Sequence, residues 1–214
     1  MISPMTLHPR ILGVILAGGG ARRMGGGDKG LADLAGKPML AHVQARLTPQ
    51  VARLILNANG PAERFHPFGL DIISDGGPGD QGPLAGLAAS FAWAAAASPN
   101  ISSIVTVSTD VPFLPLDLVQ RLSEATQRST KVAVAASEGQ THPVIGLWPL
   151  TLAEDLVQWL RTGQRSAEAF AKRHGAVAVS FPPGLIAGHT VDPFFNANTP
   201  DDLAMARKLL LAKA

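Results

Sequence analysis

The chain predicts a single α/β domain, a Rossmann-like three-layer fold with a mainly parallel central sheet. Three observations predict it. Short apolar runs alternate with amphipathic stretches along the 214 residues, the pattern of successive βαβ units. The first run, Ile11-Leu12-Gly13-Val14-Ile15, reads as a strand buried on both faces. A glycine-rich segment carrying cations follows it directly, and polar residues stand where later apolar runs stop.

Taken in order, residues 1–10 read as a disordered lead-in, and residues 11–214 as one domain. The domain is expected to divide into an amino-terminal half at about 11–115 and a carboxyl-terminal half at about 116–214. Residues 38–47 read as a helix with proline in its first turn. Residues 51–57 (VARLILN) are a second strand and 70–74 a third, ending at Asp75. Residues 84–97 form a small-residue helix entered through Gly82-Pro83, and 101–108 (ISSIVTVS) a central strand ending at Asp110. A helix over 116–127 precedes strands at 132–136 and 144–148. Helices over 152–160 and 167–174 lead to a strand at 176–181. Pro200 opens the last helix, through 210, with Asp201 and Asp202 in its first turn and Arg207 and Lys208 near its end, as the helix dipole favours.

Composition removes several classes of function. Hydrophobic residues make up 46% and charged residues 16%, ordinary for a soluble domain, and no apolar stretch reaches the length of a membrane span. Formal net charge is +2. The isoelectric point near 9.3 overstates basicity, because without Cys or Tyr few groups titrate between histidine and lysine. No basic stripe or aromatic platform supports nucleic-acid binding. With no cysteine there is no disulfide, thiolate metal site or thiol nucleophile, which fits a reducing compartment. Residues 1–10 lack the apolar core of a signal peptide, so a cytoplasmic location is expected.

The segment LAGGGARRMGGGDK, Leu16 to Lys29, is six-fourteenths glycine and carries Arg22, Arg23 and Lys29. Glycine lets consecutive N–H groups point into one anion-binding concavity, and fixed cations complement a polyphosphate. A P-loop would need lysine after Gly25, where Gly26 stands, and a dinucleotide fingerprint would need glycine at Arg23. The bland alternative is a flexible surface loop. Position by position, the segment resembles the signature loop of nucleotidyltransferases that move an NMP group from an NTP onto a phosphate. Among these it looks most like the molybdenum cofactor guanylyltransferase family, of the nucleotide-diphospho-sugar transferase fold. The resemblance implies that Leu16, Ala17, Gly18, Gly19 and Lys29 bind GTP, and that Lys29 and Arg23 act in catalysis. Ala21 departs from the family's usual serine, so a hydroxyl contact to phosphate is lost.

Further positions carry chemistry on their own and through the same resemblance. Asp110 lies in VSTDVPFLP, where a buried run ends on a carboxylate, the placement of a hard ligand for Mg²⁺ shared with substrate phosphates. A turn or helix-capping aspartate is the alternative. The family carries its magnesium aspartate in a D-x-P-[FY]-[LI]-P element, matched here by D-V-P-F-L-P. Asp75 precedes a second glycine-rich segment running to Leu87. Its carboxylate suits N1–H and the exocyclic amine of guanine, and the family's guanine-tracking G-P-L-A-G-[LIM] element stands intact from Gly82. Gly82-Pro83 is otherwise a helix-entry turn. Asn57, in LNANG, matches a nucleotide-contacting asparagine or is a turn former. Asn196 and Asn198, in NANTP, and His142, in THPVIGL, match elements that face the acceptor in the family. Helix capping by Thr199 and Asp202 is compatible with that role. No second acidic residue is expected near Asn198, so a one-carboxylate magnesium site with Asp110 is anticipated.

The resemblance therefore implies GMP transfer from GTP to the terminal phosphate of molybdopterin or Mo-molybdopterin, with release of pyrophosphate and with Mg²⁺ as cofactor. Its partners are small-molecule substrates, with transient contacts to other molybdenum-cofactor biosynthesis or acceptor proteins. No nucleic acid or membrane is involved, and a monomer is expected. Two other readings stay open on the residues alone: a nucleotidyltransferase using CTP or a sugar phosphate, and a non-catalytic module binding GTP or the molybdenum cofactor.

Overall fold

The computed structural model describes residues 7–18, 28–76, 82–126 and 131–212. The strands are β1 (His8–Leu16), β2 (Asp33–Leu34), β3 (Lys37–Pro38), β4 (Val51–Asn57), β5 (Asp71–Ile73), β6 (Ser103–Ser108), β7 (Ala133–Ser137), β8 (Gln140–Pro149), β9 (Val177–Ser180), β10 (Gly184–Ile186) and β11 (His189–Val191). The helices are α1 (Met39–Leu47), α2 (Pro83–Ala97), α3 (Leu118–Ala125), α4 (Ala153–Arg161), α5 (Ala167–Arg173) and α6 (Pro200–Leu211).

Seven strands form one sheet in the order β5-β4-β1-β6-β8-β7-β9. β1 pairs in parallel with both β4 and β6, and β4 in parallel with β5. β8 runs antiparallel to both of its neighbours, and β7 pairs in parallel with β9. The single reversal follows from the Glu138-Gly139 connection, where both residues have positive φ (49° and 79°), the twist a two-residue hairpin needs. The sheet is thus mainly parallel, as expected.

Along β1 the apolar side chains divide between the two faces, as the two-residue repeat of a strand requires. Ile11 and Ile15 join a core beneath α1 and α3. Leu12, Val14 and Leu16 join a second core beneath α2, α4 and α5. The three layers expected from the sequence are therefore present. A third, smaller cluster of Leu34, Met39, Phe113, Val191, Ala197, Ala206 and Leu209 seats α6 and the short hairpins beside the sheet. Within the second core Trp148 Nε1 donates to Thr106 Oγ1 at 2.9 Å, and that hydroxyl donates to the Val144 carbonyl at 2.7 Å.

Several boundaries differ from expectation. β1 begins at His8, so residues 8–10, expected in the lead-in, are strand. Ser102 N–H donates to the Arg10 carbonyl at 2.9 Å, which carries pairing beyond the apolar run. β8 is ten residues long rather than five, because its polar first half, QTHP, pairs across the hairpin with β7. β6 stops at Ser108 and β5 at Ile73, leaving Asp110 and Asp75 two residues past their strands. The β2–β3 and β10–β11 hairpins and a 3₁₀ segment at Ala62–Phe68 were not anticipated; they lack the apolar periodicity that marks longer elements.

Candidate active site

The carboxyl ends of the parallel strands line up in register. Leu16 at the end of β1 lies opposite Asn57 of β4 on one side and Ser108 of β6 on the other. Ligands of open α/β sheets bind at such an edge. Beyond Leu16, Ala17 N–H donates to the Asn57 carbonyl at 2.8 Å. Gly19, Arg22 and Arg23 lie outside the described residues.

The Asp28 carboxylate pairs with Arg64, and Lys29 opens a 3₁₀ turn, Lys29–Leu31. Gly30 is buried against Thr109. A Cβ there would stand 3.1 Å from that threonine's Cβ and Cγ2, so glycine lets this turn approach the β6 end closely. The approach brings Lys29 Nζ to 2.5 Å from Asp110 Oδ2 and 3.1 Å from Asn196 Oδ1, and in contact with Asn198 Oδ1. Ser108 Oγ donates to the other Asp110 oxygen, Oδ1, at 2.5 Å. The backbone of Ala197 donates to the Asp110 carbonyl at 3.0 Å, which ties the asparagine pair to the aspartate. An ammonium therefore sits among oxygens drawn from two distant stretches of chain.

A cavity of about 350 Å³ opens beside this cluster. Its walls include Leu16, Gly18, Pro83, Ser108, Asp110, His142, Phe194 and Asn196. Such a volume suits a small-molecule ligand. His142 projects from β8, its Nε2 lying 2.7 Å from Ser137 Oγ and its ring 4.9 Å from that of Phe194. Burial pulls the imidazole below its ordinary pKa, and the nearby charge of Asp192 partly opposes this.

Asn57, Asp75 and Gly82 stand outside the described wall of that cavity. Asn57 is nonetheless buried, and Gly86 is packed onto it: a Cβ on Gly86 would fall 2.4 Å from Asn57 Oδ1. Asp75 is placed by Asn59, whose side-chain oxygen accepts from Ser74 Oγ at 2.8 Å and from Asp75 N–H at 3.3 Å. The Asp75 Oδ1 atom is itself buried and finds no donor among the described residues, which leaves a carboxylate oxygen for a ligand's N–H groups. Gly82 caps α2 with φ of 79°, a conformation that favours glycine.

Just after Asn198, Thr199 and Asp202 form a full capping box at the start of α6. Asp202 Oδ2 accepts from Asn198 N–H at 3.0 Å and from Thr199 N–H at 2.8 Å. Hydrogen bonding with Thr199 holds the Asp202 carboxyl below its usual range. The expectation of no acidic residue near Asn198 is thereby corrected. Asp202 lies beside it, with Oδ2 given to the backbone of the cap, so the cap fixes Asn198 in place.

Sequence reasoning missed Ser108, Asn59 and Arg64. Ser108 ends a strand two residues before Asp110, a signal that was legible. Arg64 gave none: it joins the Asp28 carboxylate to the Asn59 and Pro61 carbonyls, partners visible only in the fold.

Comparison with known proteins places this geometry in context. Residues 13–177 match the family described as MobA-like NTP transferase domain. The chain is similar to the molybdenum cofactor guanylyltransferase of Bradyrhizobium sp. (strain ORS 278), 48% identical over 199 residues and 92% of each chain. It is likewise similar to that of Rhodopseudomonas palustris (strain BisB5), 46% identical over 210 residues, covering 97% of this chain and 98% of the relative. Among solved structures, molybdopterin-guanine dinucleotide biosynthesis protein A from Archaeoglobus fulgidus superposes with a TM-score of 0.70 at 22% identity, over 94% of this chain and 98% of that one. A 4-diphosphocytidyl-2C-methyl-D-erythritol synthase from Anaerococcus prevotii gives 0.68 at 13% identity, over 94% and 96%. At these identities the two structures speak for the shared nucleotidyltransferase fold.

Proposed function

The chain belongs to the MobA-like NTP transferase family, and from that premise we propose that it transfers GMP from GTP to the terminal phosphate of molybdopterin. The observation that carries this reading is the meeting of Lys29, Asp110, Asn196 and Asn198 beside one cavity at the strand ends. An acceptor phosphate oxygen attacks the α-phosphorus of GTP. The new P–O bond forms as the bond to the β-phosphate bridging oxygen breaks, and pyrophosphate leaves with that electron pair. A phosphate monoester with a second pKa near ~6 is largely dianionic at neutral pH, so the nucleophile needs no general base. Positioning and charge stabilisation carry the rate. Lys29 stabilises charge on the phosphates, joined by Arg23 and the backbone of Leu16, Ala17, Gly18 and Gly19. Asp75, Asn57 and the Gly82 turn hold the guanine end. Asn196, Asn198 and His142 hold the acceptor. In this reading the nucleotide half, at about 11–115, and the acceptor half, at about 116–214, are two sides of one cleft.

The donor set around Lys29 Nζ is made of oxygen only, from one carboxylate and two carboxamides, with the Ser108 hydroxyl on the far carboxylate oxygen. It already accommodates a cation, and hard oxygens are what Mg²⁺ takes. Asp110 would hold the ion, with Lys29 turning from it toward phosphate. When bound, Mg²⁺ supplies further neutralisation of the triphosphate.

The test is pyrophosphate release from GTP with purified molybdopterin and Mg²⁺, run in parallel with CTP. Release with GTP and acceptor together is expected. Release with CTP in place of GTP rejects the guanine assignment, and GTP binding without release rejects catalysis. The reading also places the protein, as a monomer, in the cytoplasm with its small-molecule substrates; sedimentation of the pure protein checks the oligomeric state.

A further inference from the structure

A second cavity, of about 200 Å³, lies on the other side of the segment that carries Asp110. It shares no lining residue with the first. α1 contributes His42 and Arg46, Lys37 comes from β3, and Phe113, Ile186 and Leu210 supply an apolar wall. Three basic side chains face this space, and among the described residues no acidic one lines it.

Arg46 is the informative group. A guanidinium carries five N–H donors in a fixed fork and is charged at any ordinary pH. Here, among the described residues, the Nη2 group reaches only the Phe113 carbonyl, at 3.5 Å, the limit of a hydrogen bond. The Nε–H is buried and meets no acceptor among the described residues. No described carboxylate forms an ion pair with Arg46, whereas Arg53, Arg64, Arg121, Arg173 and Arg207 each have one. Burial of a cation without such a partner is costly and pulls its pKa down, as it does here. His42 places its Nε2 2.8 Å from the Leu34 carbonyl, which fixes that nitrogen as the donor and leaves Nδ1 uncommitted. Lys37 stands exposed at the rim.

We propose that this cavity is a binding site for a small organic oxyanion with an apolar body, its charged end on Arg46 and its body against Phe113, Ile186 and Leu210. The volume lies below the ~300–1,000 Å³ of pockets for drug-sized ligands, which restricts the occupant to a small molecule. A single half-buried guanidinium matches one carboxylate or phosphate group, its planar fork donating to either. The apolar wall distinguishes such a ligand from a bare inorganic ion. The occupant would press on Phe113, whose ring packs 6.0 Å from that of Phe195, the neighbour of Asn196.

The test uses the full chain with ¹³C-labelled isoleucine δ1 methyls at constant ionic strength, titrated with benzoate, benzamide and inorganic phosphate separately. Benzoate is expected to shift the Ile186 methyl saturably while leaving Ile104, in the opposite core, unmoved. Benzamide, neutral and of the same shape, should bind at least tenfold more weakly. Arg46→Gln should weaken benzoate by about tenfold or more, the loss of a hydrogen bond to a charged group. If that variant fails to fold, the benzoate and benzamide comparison on the unaltered protein decides. An unmoved Ile186, or equal binding of benzamide, overturns the anion site. Saturation by phosphate at lower concentration than benzoate overturns the apolar body. Displacement of benzoate by saturating GTP overturns the separateness of the two cavities.

Discussion

Lys29 Nζ lies 2.5 Å from Asp110 Oδ2, although 81 residues separate them in the chain. Both side chains are mostly buried, at 12% and 15% exposure, so the pair is shielded from the screening that weakens surface ion pairs. The lysine also touches Asn196 and Asn198. One ammonium therefore connects the end of β6 to the segment that precedes α6.

Replacing either member of this pair by alanine is expected to leave the fold in place and to lower guanylyl transfer by about two to four decades, the effect of losing one preorganised electrostatic group. Circular dichroism checks the fold, and single-turnover pyrophosphate release checks the rate. Turnover near that of the unaltered enzyme in Lys29→Ala or Asp110→Ala would remove that residue from its assigned role.

Asp75→Asn tests the proposed guanine contact. The buried Oδ1 has no donor to lose among the described residues, so thermal stability should hold or rise slightly. GTP affinity should fall by roughly ten- to a hundredfold, since a charged acceptor becomes a neutral one. Calorimetric titration with GTP measures this, and an unchanged dissociation constant would place the base elsewhere.

Gly86→Ala puts a methyl 2.4 Å from Asn57 Oδ1 and 2.9 Å from Leu16 Cδ2, in a helix that is otherwise tightly seated. Overpacking of this kind costs about 1–3 kcal/mol. The melting temperature should drop and GTP binding should weaken with it, because the displaced residues are those at the strand ends. A variant as stable as the parent would show that α2 can shift freely, contrary to the packing.

His142 gives stability a dependence on pH. Burial holds its pKa in the fold below the unfolded value of about 6.5, so the unfolded chain binds the extra proton first. Its contribution is complete above the unfolded pKa. As pH falls through that value toward the lowered folded pKa, stability declines. His142→Asn should flatten the melting curve's pH dependence between about pH 5 and 7. An unaltered slope would mean that another group titrates there.

Thr199→Ala removes the capping hydroxyl that accepts from Asp202 N–H at 3.1 Å. A loss of about 0.5–2 kcal/mol is expected. Because the same box anchors Asn198 N–H, the KM for acceptor should rise while that for GTP changes little. Equal increases in both would assign Thr199 a global role.

Much of this architecture is written in local pattern. Strands β1, β4 and β6 announce themselves because burial on both faces demands nearly unbroken apolar runs. The α6 start is legible because Thr199, Pro200 and Asp202 answer the needs of unsatisfied N–H groups. The loop's glycines and cations, and the aspartates past the strand ends, mark the chemistry for the same local reason. Orientation and proximity are different. The reversal of β8 turned on the positive φ of Glu138 and Gly139, a choice between strand directions that apolar content does not express. That Lys29, Asp110, Asn196 and Asn198 share one point follows from β1 and β6 being neighbours in the sheet and from Gly30 yielding to Thr109. Nothing in the sequence singles out Arg46, since only the packed chain reveals that no described carboxylate pairs with it. Residue types and their spacing thus determined which elements form and which chemistry the chain carries. The packing of distant segments alone decided which groups meet and which are left wanting a partner, because those depend on through-space distance rather than on order along the backbone.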